Sequence, residues 1–321
     1  MSTSGGLLLV HAHPDDECFS TGGLIARSVA EGRRVDLVVC TGGEEGEIHD
    51  PDLTEEEARP RIGEIRAAEL ACSLAILGGE GPGKLHLHRL GYRDSGMIDT
   101  EPNAHPDSFW QADLDEATGR LTAIIRAARP AVLVTYDADG MYGHPDHINA
   151  HRVAVAAMQA AADPSRFAEA GAAHAIDKFY EVAFNRDAWI ALLKEMHGRG
   201  IPLPWDFDMD ALTGEADALN PTNVEAARQV IDQVEAGEEP SAFGTAASEI
   251  TAVVDVEPFL AQKRAGMACH RTQLQDFGWA LDLPEDLQRL AMTPESFVLT
   301  RWPTRGILDG HREESLFDGL H

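Results

Sequence analysis

The chain has 321 residues, enough to bury a sizeable core, and one elaborated domain is the simpler reading than two. Asp and Glu number 54 against 26 Lys and Arg, a formal net charge of -28 that repels nucleic acid and anionic membranes at long range. M-S-T-S-G-G at the start has no basic n-region, no apolar run approaches the roughly 18 residues of a membrane span, and Cys18, Cys40, Cys72 and Cys269 show no C-x-x-C spacing; together these predict a reduced, cytoplasmic protein without a disulfide framework.

Three apolar runs read as buried parallel strands: Leu7 to Val10, Val35 to Cys40 and Ala131 to Tyr136. Helical patterns lie between them. Ser20 is a plausible N-cap for a helix that closes at Gly32. A longer helix runs from about Pro60 to Leu77, with Arg61, Ile65, Ala68, Cys72 and Ile76 along one face, which turns Arg61 inward. A third opens at Asp113 with Glu116 in capping-box position and stops before Pro130. This order predicts an α/β, Rossmann-like fold, a mostly parallel sheet with helices on both faces and a C-terminal elaboration. Residues 1–185 form the catalytic core in this reading and 186–249 an acidic, irregular insertion or lid. Residues 250–321 complete the same domain, with strands at Ile250 to Val256 and Ser296 to Arg301 and a helix from about Glu257 to His270.

In such sheets ligands bind beyond the carboxyl ends of the strands, and each of the three runs is followed there by a polar loop. H-A-H-P-D-D-E (His11 to Glu17) places two imidazoles and three carboxylates within seven residues. Solvated carboxylates at a strand end would be the bland account. A metal explains more, because His13 and Asp16 can turn onto one ion while Asp15 stays free as an acid or base, although His11 is an equal candidate by spacing. G-H-P-D-H-I-N-A-H offers His144, His147 and His151, of which the last two share a helical face and could serve as H-x-x-x-H. T-G-G-E-E-G-E (Thr41 to Glu47) resembles a phosphate loop only in its glycines; it lacks G-x-G-x-x-G and a Walker lysine, and its glutamates would repel an anion. Cys18 beside carboxylates is a poor nucleophile.

These motifs resemble the LmbE-like (PIG-L) zinc N-deacetylase family. R-I-G-E-I-R (Arg61 to Arg66), Y-R-D-S-G-M (Tyr92 to Met97) and K-R-A-G-M-A-C-H-R-T-Q (Lys263 to Gln273) look like its mycothiol branch, which holds the deacetylase of N-acetylglucosaminyl-inositol and the mycothiol S-conjugate amidase. The resemblance implies zinc bound by His13, Asp16 and His147, with ferrous iron as the alternative ion for two imidazoles and a carboxylate. It further implies Asp15 as general base, His144 as charge stabiliser or acid, Tyr142 polarising the carbonyl, and Arg61 and Asp94 on sugar or inositol hydroxyls. Met141 departs from the pattern, since the family usually has a second glycine beside the tyrosine.

The expected activity is metal-dependent removal of an N-acetyl group from a glucosamine-containing small molecule, with an amidase acting on mycothiol S-conjugates or another N-acyl amino sugar as the alternative. A non-catalytic metal or sugar-binding module is the rival from another class; simple binding would need neither Asp15, His144 nor Tyr142. The expected partner is a small amino sugar, with neither nucleic acid nor membrane.

Overall fold

The structure, a computed structural model, describes residues 5–81, 83–204, 244–274, 278–301 and 312–320. Strand β1 (Gly6–His11) lies at the centre because Leu7 to Val10 are fully buried on both sides. Side chains alternate across a strand, so Leu7 and Leu9 enter one core and Leu8 and Val10 the other. Full burial of each such side chain stabilises the fold by about 1.5–3 kcal/mol.

Helix α1 (Asp16–Ala30) leads to β2 (Arg34–Thr41); one-turn α2 (Glu55–Ala58) and α3 (Ile62–Gly78) lead to β3 (Lys84–Tyr92). Then come α4 (Leu114–Ala128), β4 (Pro130–Thr135), the short turn α5 (Gly140–Gly143), α6 (Pro145–Ala162), β5 (Lys178–Ala183) and α7 (Arg186–Gly198). The C-terminal part adds β6 (Ala252–Val254), α8 (Leu260–Met267), α9 (Glu285–Met292) and β7 (Glu295–Arg301). The sheet runs β3-β2-β1-β4-β5-β7-β6, parallel through β5 and antiparallel at β7 and β6. Helices α1, α3 and α8 feed one core and α4 and α6 the other, so the sheet is covered on both faces. Strand order reverses between β1 and β4, and the crevice beyond their carboxyl ends is where such folds bind ligands.

Several expectations are corrected. Helix α1 begins at Asp16, with Asp15 at its N-cap position, so Ser20 lies inside it. In α3 the buried stripe is Ile62, Arg66, Leu70, Ser73 and Leu77, one residue on from the predicted face. Arg61 is therefore exposed, and Arg66 carries the buried guanidinium. The one-residue offset rotates the helix by about 100°. Cys72 is bonded to Cys269, contrary to the expectation of free thiols, while Cys18 and Cys40 are free and buried. A separation of 197 residues carries no sequence signal; packing of α3 against the end of α8 brings the two Cα atoms to 5.8 Å.

Two strands escaped the sequence reading. β3, K-L-H-L-H-R-L-G-Y, alternates apolar and polar residues because it is a sheet edge. β5 contains Lys178, which is fully buried and gives its ammonium to Glu313 Oε1 at 2.6 Å and to the Asp318 carbonyl at 2.6 Å. The acidic stretch expected to be irregular from Arg186 opens with a capped helix, α7, whose Asn185 side chain accepts from the Ala188 N–H. Residues 205–243 of the expected lid lie outside the described residues. Among the described residues no helix is long and apolar enough to cross a membrane.

On β5, burial together with Asp137 and Asp139 pushes the Glu181 carboxyl up to about 7. An acid whose folded pKa exceeds its unfolded value of about 4.3 destabilises the fold progressively as pH rises between the two. Glu181→Gln is therefore expected to match wild type at pH 4 and to be more stable at pH 8 by about 1 kcal/mol, after discounting for solvent screening. Chemical denaturation at the two pH values checks this; equal stability at pH 8 would refute it.

Candidate metal centre

The β1 loop delivers His13 and, through the start of α1, Asp16; the loop after β4 delivers His144 and His147 at the start of α6. His147 Nε2 lies 3.3 Å from His13 Nδ1 and 3.5 Å from Asp16 Oδ1, and His13 Nδ1 lies 3.4 Å from Asp16 Oδ2. Donors at about 2.0–2.2 Å from a tetrahedral ion are about 3.4 Å apart, so the spacing between these three side chains, with Asp16 facing the two rings through different oxygens, matches the edge length of such a shell. Among the described residues His147 Nδ1 is buried with no hydrogen-bond partner.

Charge supports the same conclusion. Asp15, Asp16, Asp94 and Asp146 crowd three imidazoles in a buried space, an arrangement that a cation relieves. Burial opposes ionisation of His13, but Asp94, Asp146 and Asp16 outweigh it and raise its pKa. Burial likewise opposes ionisation of Asp16, yet His147 and His13 hold its carboxyl well below the ordinary range. Burial, with an opposing contribution from Asp16, pushes His147 down to about 3, leaving it neutral and able to ligate. The residues thus fit a divalent ion.

Around these three is a supporting shell that the sequence reading missed. Asp146 Oδ2 lies 3.3 Å from His13 Nε2 and accepts the Ser95 N–H at 2.9 Å, the carboxylate–histidine arrangement that orients metal ligands. Tyr136 donates its O–H to Asp16 Oδ2 at 2.7 Å, accepts the Ala12 N–H at 2.7 Å, and stacks on the His147 ring at 4.0 Å between centroids. Tyr136 was legible only as the aromatic end of an apolar strand; Asp146 stood in G-H-P-D-H without a separate signal.

Asp15 directly precedes Asp16 and turns its carboxylate to Arg66. Its carboxylate accepts from Arg66 Nη2 at 2.9 Å, and burial pushes it up to about 6 against the pull of Arg66. Arg66 passes under the T-G-G-E-E-G-E loop to reach it, donating also to the Gly43 and Pro14 carbonyls. A Cβ at Gly43 would come within 2.2 Å of Arg66 Nη1 and one at Gly46 within 2.5 Å, so these glycines make room for the guanidinium.

His144 Nδ1 accepts the Asp146 N–H at 3.1 Å, which assigns the remaining proton to Nε2 and makes that atom a donor. Burial, reinforced by His13 and His147, pushes His144 down to about 2, so the ring is neutral. The Tyr142 ring is half exposed, with its hydroxyl 3.5 Å from His147 Nε2. Asp94 is buried, bound by the Gly96 N–H at 2.8 Å and the Glu45 N–H at 3.3 Å, and 3.7 Å from His13 Nε2. Arg61 stays exposed.

The open histidines take the bland role. His11 is buried against Thr21 Oγ1 at 3.0 Å, and His151 Nδ1 contacts the Tyr136 carbonyl at 2.9 Å. Glutamates of the glycine loop serve structure: Glu44 accepts the Asp94 N–H at 2.9 Å and Glu45 pairs with Arg93. Burial pushes the Cys18 thiol well up, as expected of an inert cysteine.

Met141, the departure from the family pattern, has φ 65° and ψ -49°, in a region that favours glycine. Its side chain packs partly buried against both cores. Met141→Gly relieves strain of about 1–3 kcal/mol while losing that packing. Thermal unfolding is expected to give a stability within about 1 kcal/mol of wild type; a loss as large as that of a buried methionine would show that the backbone is not strained.

A family described as PIG-L, GlcNAc-PI de-N-acetylase, matches residues 8–158. A 1D-myo-inositol 2-acetamido-2-deoxy-alpha-D-glucopyranoside deacetylase of Streptomyces avermitilis is 40% identical over 98% of this chain and 97% of its own. The chain belongs to the PIG-L (LmbE-like) family. Two further relatives named for the same function agree. Deacetylase 1 of Catenulispora acidiphila is 39% identical over 98% of this chain and 89% of its own, and the Geodermatophilus obscurus protein 38% over 100% and 99%. Within the PIG-L family this chain falls with the mycothiol-branch deacetylases, and it is an enzyme acting on an amide bond.

Solved structures show the fold alone. The N,N'-diacetylchitobiose deacetylase of Pyrococcus horikoshii superposes with TM-score 0.53 at 16% identity, covering 92% of this chain and 83% of that one. GalB, the 4-carboxy-2-hydroxymuconate hydratase of Pseudomonas putida, gives 0.54 at 15%, covering 94% and 98%. A hydratase on the same fold means that the PIG-L architecture does not by itself select amide hydrolysis; the site must.

Proposed function

We propose that this chain removes the acetyl group from an N-acetylglucosaminyl-inositol, with one zinc ion, or ferrous iron in its place, held by His13, Asp16 and His147. The observation that carries the reading is the approach of His13, Asp16 and His147 to one another at 3.3–3.5 Å, with the neighbouring Asp15 carboxylate held by Arg66. Relatives at 38–40% identity over almost the whole chain supply the substrate class.

An ion held there supplies a Lewis acid for the acyl oxygen and lowers the pKa of water from 15.7 to about 7. Asp15, fixed by Arg66, takes the proton from the attacking water and later returns it to the departing amine. His144, neutral and donating through Nε2, stabilises the developing oxyanion, a contribution of about 3 kcal/mol for a well-placed donor. Tyr142 donates to the same oxygen from the solvent side. Asp94 and Arg61 are assigned to the hydroxyls of the sugar or inositol. Asp146 and Tyr136 orient His13 and Asp16.

Mass spectrometry of the hydrolysis products released from N-acetylglucosaminyl-inositol, simple N-acetylglucosamine derivatives and a mycothiol S-conjugate tests the reading. The first is expected to be consumed fastest. Preference for the conjugate would assign the amidase reaction instead, and release from none would refute the reading.

A further inference from the structure

We propose that Glu17 is a positioning residue for Asp15, holding the general base through its backbone; the proposal rests on the function proposed above. Glu17 is fully buried, although it directly follows the ligand Asp16. Its oxygens are all committed within the protein: Oε2 accepts the Asp15 N–H at 2.9 Å, and Oε1 accepts Ser73 O–H at 2.7 Å and His270 Nε2–H at 2.9 Å.

What Glu17 grips is a strained residue. Asp15 has φ 141° and ψ -31°, a conformation that L residues avoid and that persists only where surroundings over-determine it. The Asp15 carbonyl accepts from the Cys18 N–H at 3.0 Å and from Cys18 Sγ at 3.0 Å. Arg66 fixes its carboxylate. The Glu17 carboxylate completes this set by holding the N–H side. Without it a buried N–H is orphaned, φ relaxes, and the Asp15 carboxylate moves from its place beside the ligands.

The grip is itself braced by two distant segments. Ser73 lies on α3 and His270 follows α8, and each is preceded by one half of the Cys72–Cys269 bridge. Glu69 on α3 further fastens the His270 segment by accepting the Thr272 N–H at 2.8 Å and its hydroxyl at 2.7 Å. The C-terminal K-R-A-G-M-A-C-H-R-T-Q segment thereby reaches the base through Glu17.

A double-mutant cycle on the full chain tests this, with kcat, KM, bound metal and amide exchange at Asp15 as readouts. Glu17→Ala is expected to lower kcat by about 10–100-fold with KM and metal content within about twofold, while Glu17→Gln, whose amide oxygen still accepts from the Asp15 N–H, stays within about threefold of wild type. In an Asp15→Asn background Glu17→Ala is expected to cost less than about threefold more, because it acts through Asp15. Should Glu17→Ala not fold, Ser73→Ala and His270→Gln serve, with the same non-additivity and smaller losses. An undiminished loss in the Asp15→Asn background, loss of metal, or unchanged kcat would overturn the proposal. Exchange at the Asp15 amide keeps it separate from the activity assignment: faster exchange in Glu17→Ala is expected, and protection equal to wild type overturns the positioning role even if the wild-type chain releases no acetate.

Discussion

Asp15→Asn is expected to keep its metal and bind substrate while turnover falls by about 100 to 10,000-fold, the usual worth of a general acid–base residue. The asparagine preserves shape and one acceptor for Arg66 Nη2, but it cannot take a proton. Two adjacent carboxylates do not readily ionise together in a buried site, and the positive charge of Arg66 and of a bound ion keeps Asp15 available as a base near neutrality. The acidic limb of the pH–rate profile is expected to flatten in the same variant. Steady-state kinetics with metal analysis check this. Near wild-type turnover, or loss of metal, would mean that the division of labour between Asp15 and Asp16 is wrong.

Replacing His13, Asp16 or His147 by Ala is expected to abolish stoichiometric metal binding, since each removes one of three protein donors. The loss is expected to exceed the 10–100-fold weakening of affinity that typically follows removal of a supporting partner, which is the range expected for Tyr136→Phe and Asp146→Asn. His144→Ala and His151→Ala are expected to retain the ion. His144 Nδ1 is occupied by the Asp146 N–H, and His151 faces the Tyr136 carbonyl rather than the site. Elemental analysis across the set separates this assignment from a three-imidazole site of His13, His144 and His147, whose donor atoms also lie within 4.8 Å of one another. Retention of metal in Asp16→Ala with loss in His144→Ala would favour that alternative.

The parallel centre of the sheet was legible because each of its three apolar runs is buried on both faces and nothing in it alternates. β3 and β5 were not, since an edge strand and a strand with a buried Lys178–Glu313 pair both break the apolar run. Ligand-bearing motifs stood out because titratable side chains are dense in them. Spacing could not choose between His11 and His13 or between His147 and His151; that choice depends on which ring reaches the crevice between β1 and β4. The stripe on α3 was read one residue early because Arg66 and Ser73 are polar, so the true buried face was the less apolar of two candidates. Arg66, Tyr136 and Glu17 act by contacts that close only in three dimensions, and the same is true of the Cys72–Cys269 bridge.

The most direct test is zinc titration of chelator-stripped protein with acetate release from N-acetylglucosaminyl-inositol as the readout. No turnover is expected without metal, with a linear rise to a plateau at one ion per chain. Full turnover in the stripped protein, or a rise that continues to two ions per chain, would contradict a single ion held by His13, Asp16 and His147.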